Sequence, residues 1–473
     1  MTREIVLLRV ALEREAAIDD ADLRIAQALR YLCGGNEQFW TGKGRHGQTL
    51  ARAASRRRRQ GGTMRHSFSV LFAIVAFVAS SFLAQPAFAA KTLPAPQISF
   101  TRFALSGGTP GAGISNTGGT LSLTSGATDG TWLSPSQDAQ FDFDELVASW
   151  NATTPSNTWI TIEMSASAVG RTATKWYTMG IWTSDPVPAH RTSVSLQGDP
   201  DGFVATDTFI RAKKAAPLRS YQLRIGLHRS GTSATPSVRF IGAMTSAAVD
   251  KYDIPSTPYG LGSVRDDLGV PTYSQEIHKG EFIELDGGGE AWCSPTSTAM
   301  ILDYWHAGPT DAELAIFPGP TKPDGTPYKR PQVDFAARAV FDWNYNGAGN
   351  WPFNAAYAGS RDLEGFVTRL RSLNEAERFI AMGIPLVASI NGRLPGFFFG
   401  KTNGHLLTIV GFTASGDVIS NDPAVPTEGE VHKTYNRADF EDVWLGGSGG
   451  IVYVIHPIGG GLPANIPGLP NNW

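Results

Sequence analysis

Cysteine is the scarcest reactive residue in this chain: 473 residues hold two, Cys33 and Cys293. Two cysteines cannot make a disulfide framework, and one thiol among scattered histidines makes no zinc-ligand spacing. The HExxH pattern of metal-dependent hydrolases is also missing. Basic charge is short as well. Forty Lys and Arg face 43 Asp and Glu. Residues 1–89 hold 13 basic and 7 acidic residues, which leaves 27 against 36 in the rest, a net of −9. A nucleic-acid surface needs a basic field, and only the short run Arg56–Arg59 offers one, so nucleic acid is excluded as a partner. No apolar run beyond Ala84 is long enough to span a membrane. The stretch GGTPGAG at Gly107–Gly113 lacks the Lys-Ser/Thr of a phosphate loop and reads as a turn.

What is abundant is glycine and proline, 52 and 30, with 42% hydrophobic residues. This composition suits two or three domains rich in strands and turns rather than a helical bundle. The run FSVLFAIVAFVASSFLA (Phe68–Ala84) follows Arg65 and His66 and precedes Ala87-Phe88-Ala89, a small-x-small cleavage pattern. Residues 64–89 therefore read as a signal peptide, and residues 1–63 as a misassigned upstream start or an extended leader. The expected product is secreted or extracytoplasmic, with no stable membrane span after cleavage. Cys33 would be lost with the leader, leaving Cys293 as the sole thiol of the mature chain.

Residues 91–250 carry alternating, aromatic-rich runs separated by turn residues, the pattern of an all-β sandwich domain. Its Trp150, Trp176 and Trp182 suit either a core or a platform for a surface polymer. A polar, turn-rich linker is expected over 251–269. Residues 270–458 change texture: helices first, then strands, an α+β pattern. A helix should begin at Cys293–Pro295. The stretch DLEGFVTRLRSLNEAERFIAMG reads as one or two helices broken near Ser372. Strands are expected at Ile384–Ile390, His405–Phe412, Gly416–Asp422 and GGIVYVIHP. A Gly/Pro-rich tail, 459–473, shows no core pattern and is expected to be loose.

Cys293 sits between a glycine turn and an apolar helix, where aligned backbone dipoles favour a thiolate. Pro295 suits a first helical turn, and the hydroxyls of Ser294, Thr296, Ser297 and Thr298 suit capping. A nucleophile needs a base, and His405 stands at the mouth of an apolar strand. The hairpin that follows brings Asp422, or its neighbour Asn421, back beside it as the third member of a triad. His306 would lie roughly 20 Å along the same helix at 1.5 Å per residue, too far to serve. His278 is a minor alternative. Gln275, upstream of the thiol, is a candidate oxyanion donor.

The stretches YSQ (Tyr273–Gln275), WCSPTSTAMILDYW around Cys293, GIPLVASI, GHLLTIVGF and VISNDPAV make residues 270–456 similar to the papain-like cysteine peptidases. The closest likeness is to the bacterial, bacteriocin leader-processing (double-glycine) branch. The resemblance implies Cys293 as nucleophile, His405 as general base and then acid, Asp422 as orienting group and Gln275 as an aid to the oxyanion. It implies no cofactor and no metal. This chain departs from the pattern in a longer Gln275-to-Cys293 spacing and in Ser294-Pro295 where many relatives have Gly-Pro. Transporter segments are lacking, so leader cleavage during export is not implied, and the β-rich half lies outside the resemblance. The expected activity is peptide-bond hydrolysis through an acyl-enzyme on a peptide or protein substrate. Two alternatives use the same fold: acyl transfer or cell-wall amide cleavage with this triad, and a non-catalytic secreted binding protein.

Overall fold

The computed structural model describes residues 97–185, 189–247, 257–260, 267–315 and 325–473. The expected leader (1–63), signal peptide (64–89) and most of the 251–269 linker lie outside the described residues. No helix among the described residues is long and apolar enough to cross a membrane.

The first half is all β. A seven-stranded and a six-stranded antiparallel sheet form from residues 98–246. The longest strands, Leu218–Arg229 and Ser237–Ser246, bury alternate apolar residues such as Leu223, Ile225 and Leu227. That alternation is what a sheet with one face on a core requires. Trp150 and Trp182 are buried and pack edge-on against each other, while Trp176 is half-buried under Arg224.

The second half is α+β, helices leading and strands following, as the sequence pattern suggests. The cysteine helix (Cys293–Tyr304) is followed by helices Pro331–Val340 and Trp351–Gly359. A six-stranded antiparallel sheet then runs in the order Leu363–Arg369, Ile451–Pro457, Leu386–Arg393, Lys401–Phe412, Val418–Asn421, His432–Tyr435. The strand Lys401–Phe412, which carries His405, pairs on both sides. The cysteine helix packs across it, and every residue from Ser294 to Leu302 is buried. A helix enclosed on all sides needs no polar stripe, which explains the apolar run AMIL.

Two segments differ from expectation. Residues Leu363–Arg369 form a strand rather than a helix, with all seven residues buried. Both of its faces are covered, so the sequence shows neither alternation nor a polar stripe, and the tertiary environment decides. Only Leu373–Ala381 of that stretch is helical. The tail lacks regular structure, yet its end is docked rather than loose. Asn472 is fully buried, donating to the Arg369 carbonyl and to Glu375 at 2.8 Å each, and the Trp473 ring packs on Phe379.

The two halves share an extensive contact. Leu363–Arg369 is the outermost strand of the second sheet, and side chains of the sandwich strand Glu145–Thr153 complete its hydrogen bonding. Asn151 donates to the Gly365 carbonyl (2.8 Å) and accepts from the Gly365 amide (3.2 Å), and Ser149 Oγ accepts from the Val367 amide (2.9 Å). Arg369 pairs with Glu145 at 2.6 Å, and Trp150 meets Phe353 edge-on. Asn151→Ala would strand a buried donor and acceptor on Gly365, so it is predicted to lower unfolding stability by about 2–4 kcal/mol. Urea denaturation followed by tryptophan fluorescence checks this, and a loss under about 0.5 kcal/mol, the ordinary surface value, would contradict it.

Candidate active site

Cys293 is the first residue of its helix, as the sequence suggests, and is partly exposed. Trp292 holds the cap position and no side chain caps the helix, so the backbone N–H groups beside the sulfur are not claimed by one. The positive end of the helix dipole therefore faces the thiol. Three of the four expected capping hydroxyls do different work, and the buried Thr296 Oγ1 meets no partner among the described residues. Ser294 Oγ meets the Tyr453 hydroxyl at 2.9 Å, Ser297 donates to the Leu406 carbonyl at 3.2 Å, and Thr298 donates to Asn354 at 3.1 Å. They tie the helix to the sheet and to a neighbouring helix.

The glycine turn before the cysteine has a steric purpose. A Cβ on Gly289 would stand 2.5 Å from the Gln275 carbonyl oxygen and from His278, so only glycine lets the turn press against that loop. Trp292, fully buried, donates its indole N–H to the Leu285 carbonyl at 2.7 Å. The helix start is thus held from beneath.

His405 lies on the strand that the helix crosses, next to the Leu406 carbonyl that receives Ser297. Its Nε2–H donates to Asp422 Oδ1 at 2.8 Å. That leaves Nδ1 as the nitrogen available to Cys293, which lies near enough to raise the ring's proton affinity. Burial alone disfavours the imidazolium. The Asp422 charge and hydrogen bond, aided by Cys293, outweigh it and push His405 up to about 10. Burial opposes the charged form of Asp422 too. The His405 charge, hydrogen bonds from His405 and from Tyr435 Oη (2.5 Å), and the Ala424 amide (3.0 Å) reverse this and hold the carboxyl below its ordinary range.

Of the two candidates for the third position, Asp422 meets the imidazole. Asn421 instead donates to the Val270 carbonyl at 2.9 Å and accepts from His432 at 2.9 Å. Gln275 is buried close by: its Nε2 donates to the Glu290 carbonyl at 2.6 Å and, more weakly, to Glu276 at 3.3 Å. His306 lies past the far end of the cysteine helix in a left-handed conformation. His278 turns away toward Glu281 and Asp334. Burial opposes its charge, but those two carboxylates raise it to about 9. This ring is committed to those two carboxylates.

Three neighbours escaped the sequence reading. Tyr435 reaches Asp422 from the adjoining strand, a contact set by the pairing of Val418–Asn421 with His432–Tyr435 that no spacing rule reveals. Glu276 lies near enough to His405 to feel its charge; burial and then Glu290 raise its own proton affinity. Phe397 packs 5.1 Å from the His405 ring, and Phe398 and Phe399 beside it are 52% and 55% exposed. The motif GFFFG carries that signal. It presents an aromatic wall next to the histidine.

Two family models match. Residues 104–246 match the Peptidase C39 N-terminal domain, and residues 267–450 match the Peptidase_C39 like family. No curated protein matches the chain. Among solved structures, that of infectious bursal disease virus Gx strain is 13% identical over 32% of this chain and 32% of its own, with a TM-score of 0.18. The CBM22-1–GH10 modules of Clostridium thermocellum endo-1,4-beta-D-xylanase 10B, complexed with xylohexaose, are 10% identical over 38% and 33%, also at 0.18. The chain thus spans about a third of each of these solved chains, and likenesses so slight say nothing of its fold or activity.

The triad's charges make a prediction about stability. His405 is raised from an unfolded value of about 6.5 to about 10. Its contribution is complete below the first value and lost as pH rises through the second. Asp422 is lowered, so its contribution is present above about 3.9 and lost as pH falls through its folded value. Relative to His405→Gln, the wild-type chain should be most favoured between about pH 4 and 6.5. The advantage should fade as pH rises through about 10. Denaturant midpoints of both proteins across pH check this; a pH-independent difference would contradict it.

Proposed function

Residues 267–450 are a papain-like segment of the C39 peptidase family, preceded by that family's N-terminal domain, and from this we propose that the protein is an exported cysteine peptidase that hydrolyses peptide bonds through Cys293, His405 and Asp422. The single observation that carries the reading is His405, held to Asp422 at 2.8 Å through one ring nitrogen and near enough to the helix-start thiol for Cys293 to raise its proton affinity. Export rests on the apolar run Phe68–Ala84 and the small-x-small site that ends at Ala89.

The proposed steps are these. Cys293 passes its proton to His405 Nδ1, and the resulting pair is stabilised by Asp422 on the opposite ring nitrogen. The thiolate sulfur bonds to the scissile carbonyl carbon while the carbonyl π pair moves to oxygen. The helix-start N–H of Cys293 donates to that oxyanion. The Gln275 amide hydrogen now spent on Glu276 at 3.3 Å is the weaker of its two bonds and can turn to the same oxygen. Collapse breaks the C–N bond, and the leaving amine takes the proton from Nδ1. Water, deprotonated by His405, then attacks the thioester, releases the carboxylate product and returns the proton to sulfur. Tyr435 and the Ala424 amide keep Asp422 ionised throughout. Phe398 and Phe399, exposed beside His405, favour substrates with an apolar side chain near the scissile bond.

A thiol-alkylating probe on the full chain carrying Cys33→Ala tests the reading. Labelling of Cys293 should outpace a model thiol near neutral pH, and His405→Ala should bring it down to that rate. Peptide hydrolysis should vanish in Cys293→Ala and fall by about 10²–10⁴ in His405→Ala, the usual worth of a general base. Gln275→Ala should lower kcat with little change in KM, by up to the roughly 10²–10³ measured for oxyanion donors. Labelling no faster than a free thiol would count for a binding protein that keeps the fold without turnover.

A further inference from the structure

A second cluster of ionisable groups lies behind the site, in the stretch that makes the Gln275-to-Cys293 spacing long. His278 and Glu281 belong to that stretch, and Asp334 comes from the helix Pro331–Val340. All three are buried, with His278 and Asp334 at 0% and 1% exposure. His278 Nδ1 stands 3.2 Å from Glu281 Oε2 and 3.2 Å from Asp334 Oδ1, and one ligand-capable atom from each residue lies within 4.8 Å of the others.

Hydrogen bonding alone accounts poorly for this arrangement. Both carboxylates converge on the same ring nitrogen, which carries one hydrogen at most. Asp334 Oδ1 lies 3.2 Å from that nitrogen, yet neither oxygen of Asp334 makes a well-aligned hydrogen bond among the described residues. Buried polar atoms are left unsatisfied only rarely, and each costs about 1–3 kcal/mol.

We propose that His278, Glu281 and Asp334 form a structural site for a divalent transition cation, zinc foremost. One imidazole nitrogen and two carboxylate oxygens are a zinc-type donor set. The two 3.2 Å separations from Nδ1 are close to the roughly 3.3 Å edge of a tetrahedron with bonds of about 2.0 Å, and the carboxylates, within 4.8 Å of each other, would draw in on the ion. A cation at the centre would neutralise the carboxylates, engage Nδ1 as a lone-pair donor and occupy both Asp334 and Glu281. It would link the Gln275–Ala291 loop to the helix Pro331–Val340. His278 packs on Trp292, 6.0 Å between ring centroids, and Trp292 is the residue before Cys293. The ion would therefore buttress the start of the cysteine helix. Its role is to hold that helix in place, and it touches no reacting atom.

The test uses the full chain carrying Cys33→Ala and Cys293→Ala, so that zinc cannot be held by a thiol. After chelation and dialysis, calorimetric titration with Zn²⁺ alone should show one ion per chain and a rise in melting temperature. Adding Asp334→Asn should weaken binding by about 100-fold or more and abolish the thermal shift, since it removes a direct ligand. His278→Gln should do the same, which covers the case in which one variant does not fold. Anomalous scattering at the zinc edge from crystals of the same cysteine-free protein needs no ligand variant and should place the ion against His278 Nδ1. Binding of less than one ion, indifference to both variants, or an anomalous peak elsewhere would overturn the proposal and leave a proton-shared triad.

Discussion

The candidate site depends on one modest tether: the Ser297 hydroxyl of the cysteine helix donating to the carbonyl of Leu406, the residue after His405. Sulfur and imidazole come from segments more than a hundred residues apart in sequence. Their meeting requires a helix to cross a strand at one register and no other. Ser294 on Tyr453 and Thr298 on Asn354 fix the same crossing at two further points. The whole first part of this helix is buried, and the partners that Ser294, Ser297 and Thr298 find define where it can lie, while Thr296 Oγ1 has none among the described residues. Polar atoms in an apolar setting supply direction that the hydrophobic effect lacks.

The same logic governs the charged groups. His405 and Asp422 are both removed from water, and either alone would give up its charge. Together, with Tyr435 and the Ala424 amide supplying further bonds, each keeps the other ionised. The cost of bringing two charges inside is offset only when every remaining lone pair is used. Asp422 meets that condition with three donors. The aromatic wall of Phe397 closes the histidine off on another side, which strengthens the pair by excluding water.

Much of the site was legible because the chemistry is strongly constrained at short range. A lone cysteine between glycines and an apolar helix, and a histidine at a strand mouth followed by a hairpin, leave few arrangements. What stayed hidden depended on long-range pairing. Leu363–Arg369 read as helix because a strand buried on both faces shows no alternation. The helix hydroxyls read as caps because the sequence cannot tell that a sheet will lie across them. Tyr435 was invisible because its contact with Asp422 arises from strand register. His278 weighed as a spare base since its acidic neighbours are brought to it only by the turn at Glu281 and a distant helix. The tail read as loose, since neither the pocket for Trp473 nor the partners of Asn472 are encoded near them.

The strand Leu363–Arg369 meets its sandwich neighbours through an asparagine and a serine rather than through another backbone. Asn151 presents an amide to Gly365 as a peptide unit would, in both donor and acceptor roles. The papain-like half thus has a raw border whose finishing is written in the other half's side chains. Such a border, left bare, is a template for any extended chain that drifts by. The sandwich therefore acts as a selvedge: its side chains cover that border, and the papain-like sheet does not present it to strangers.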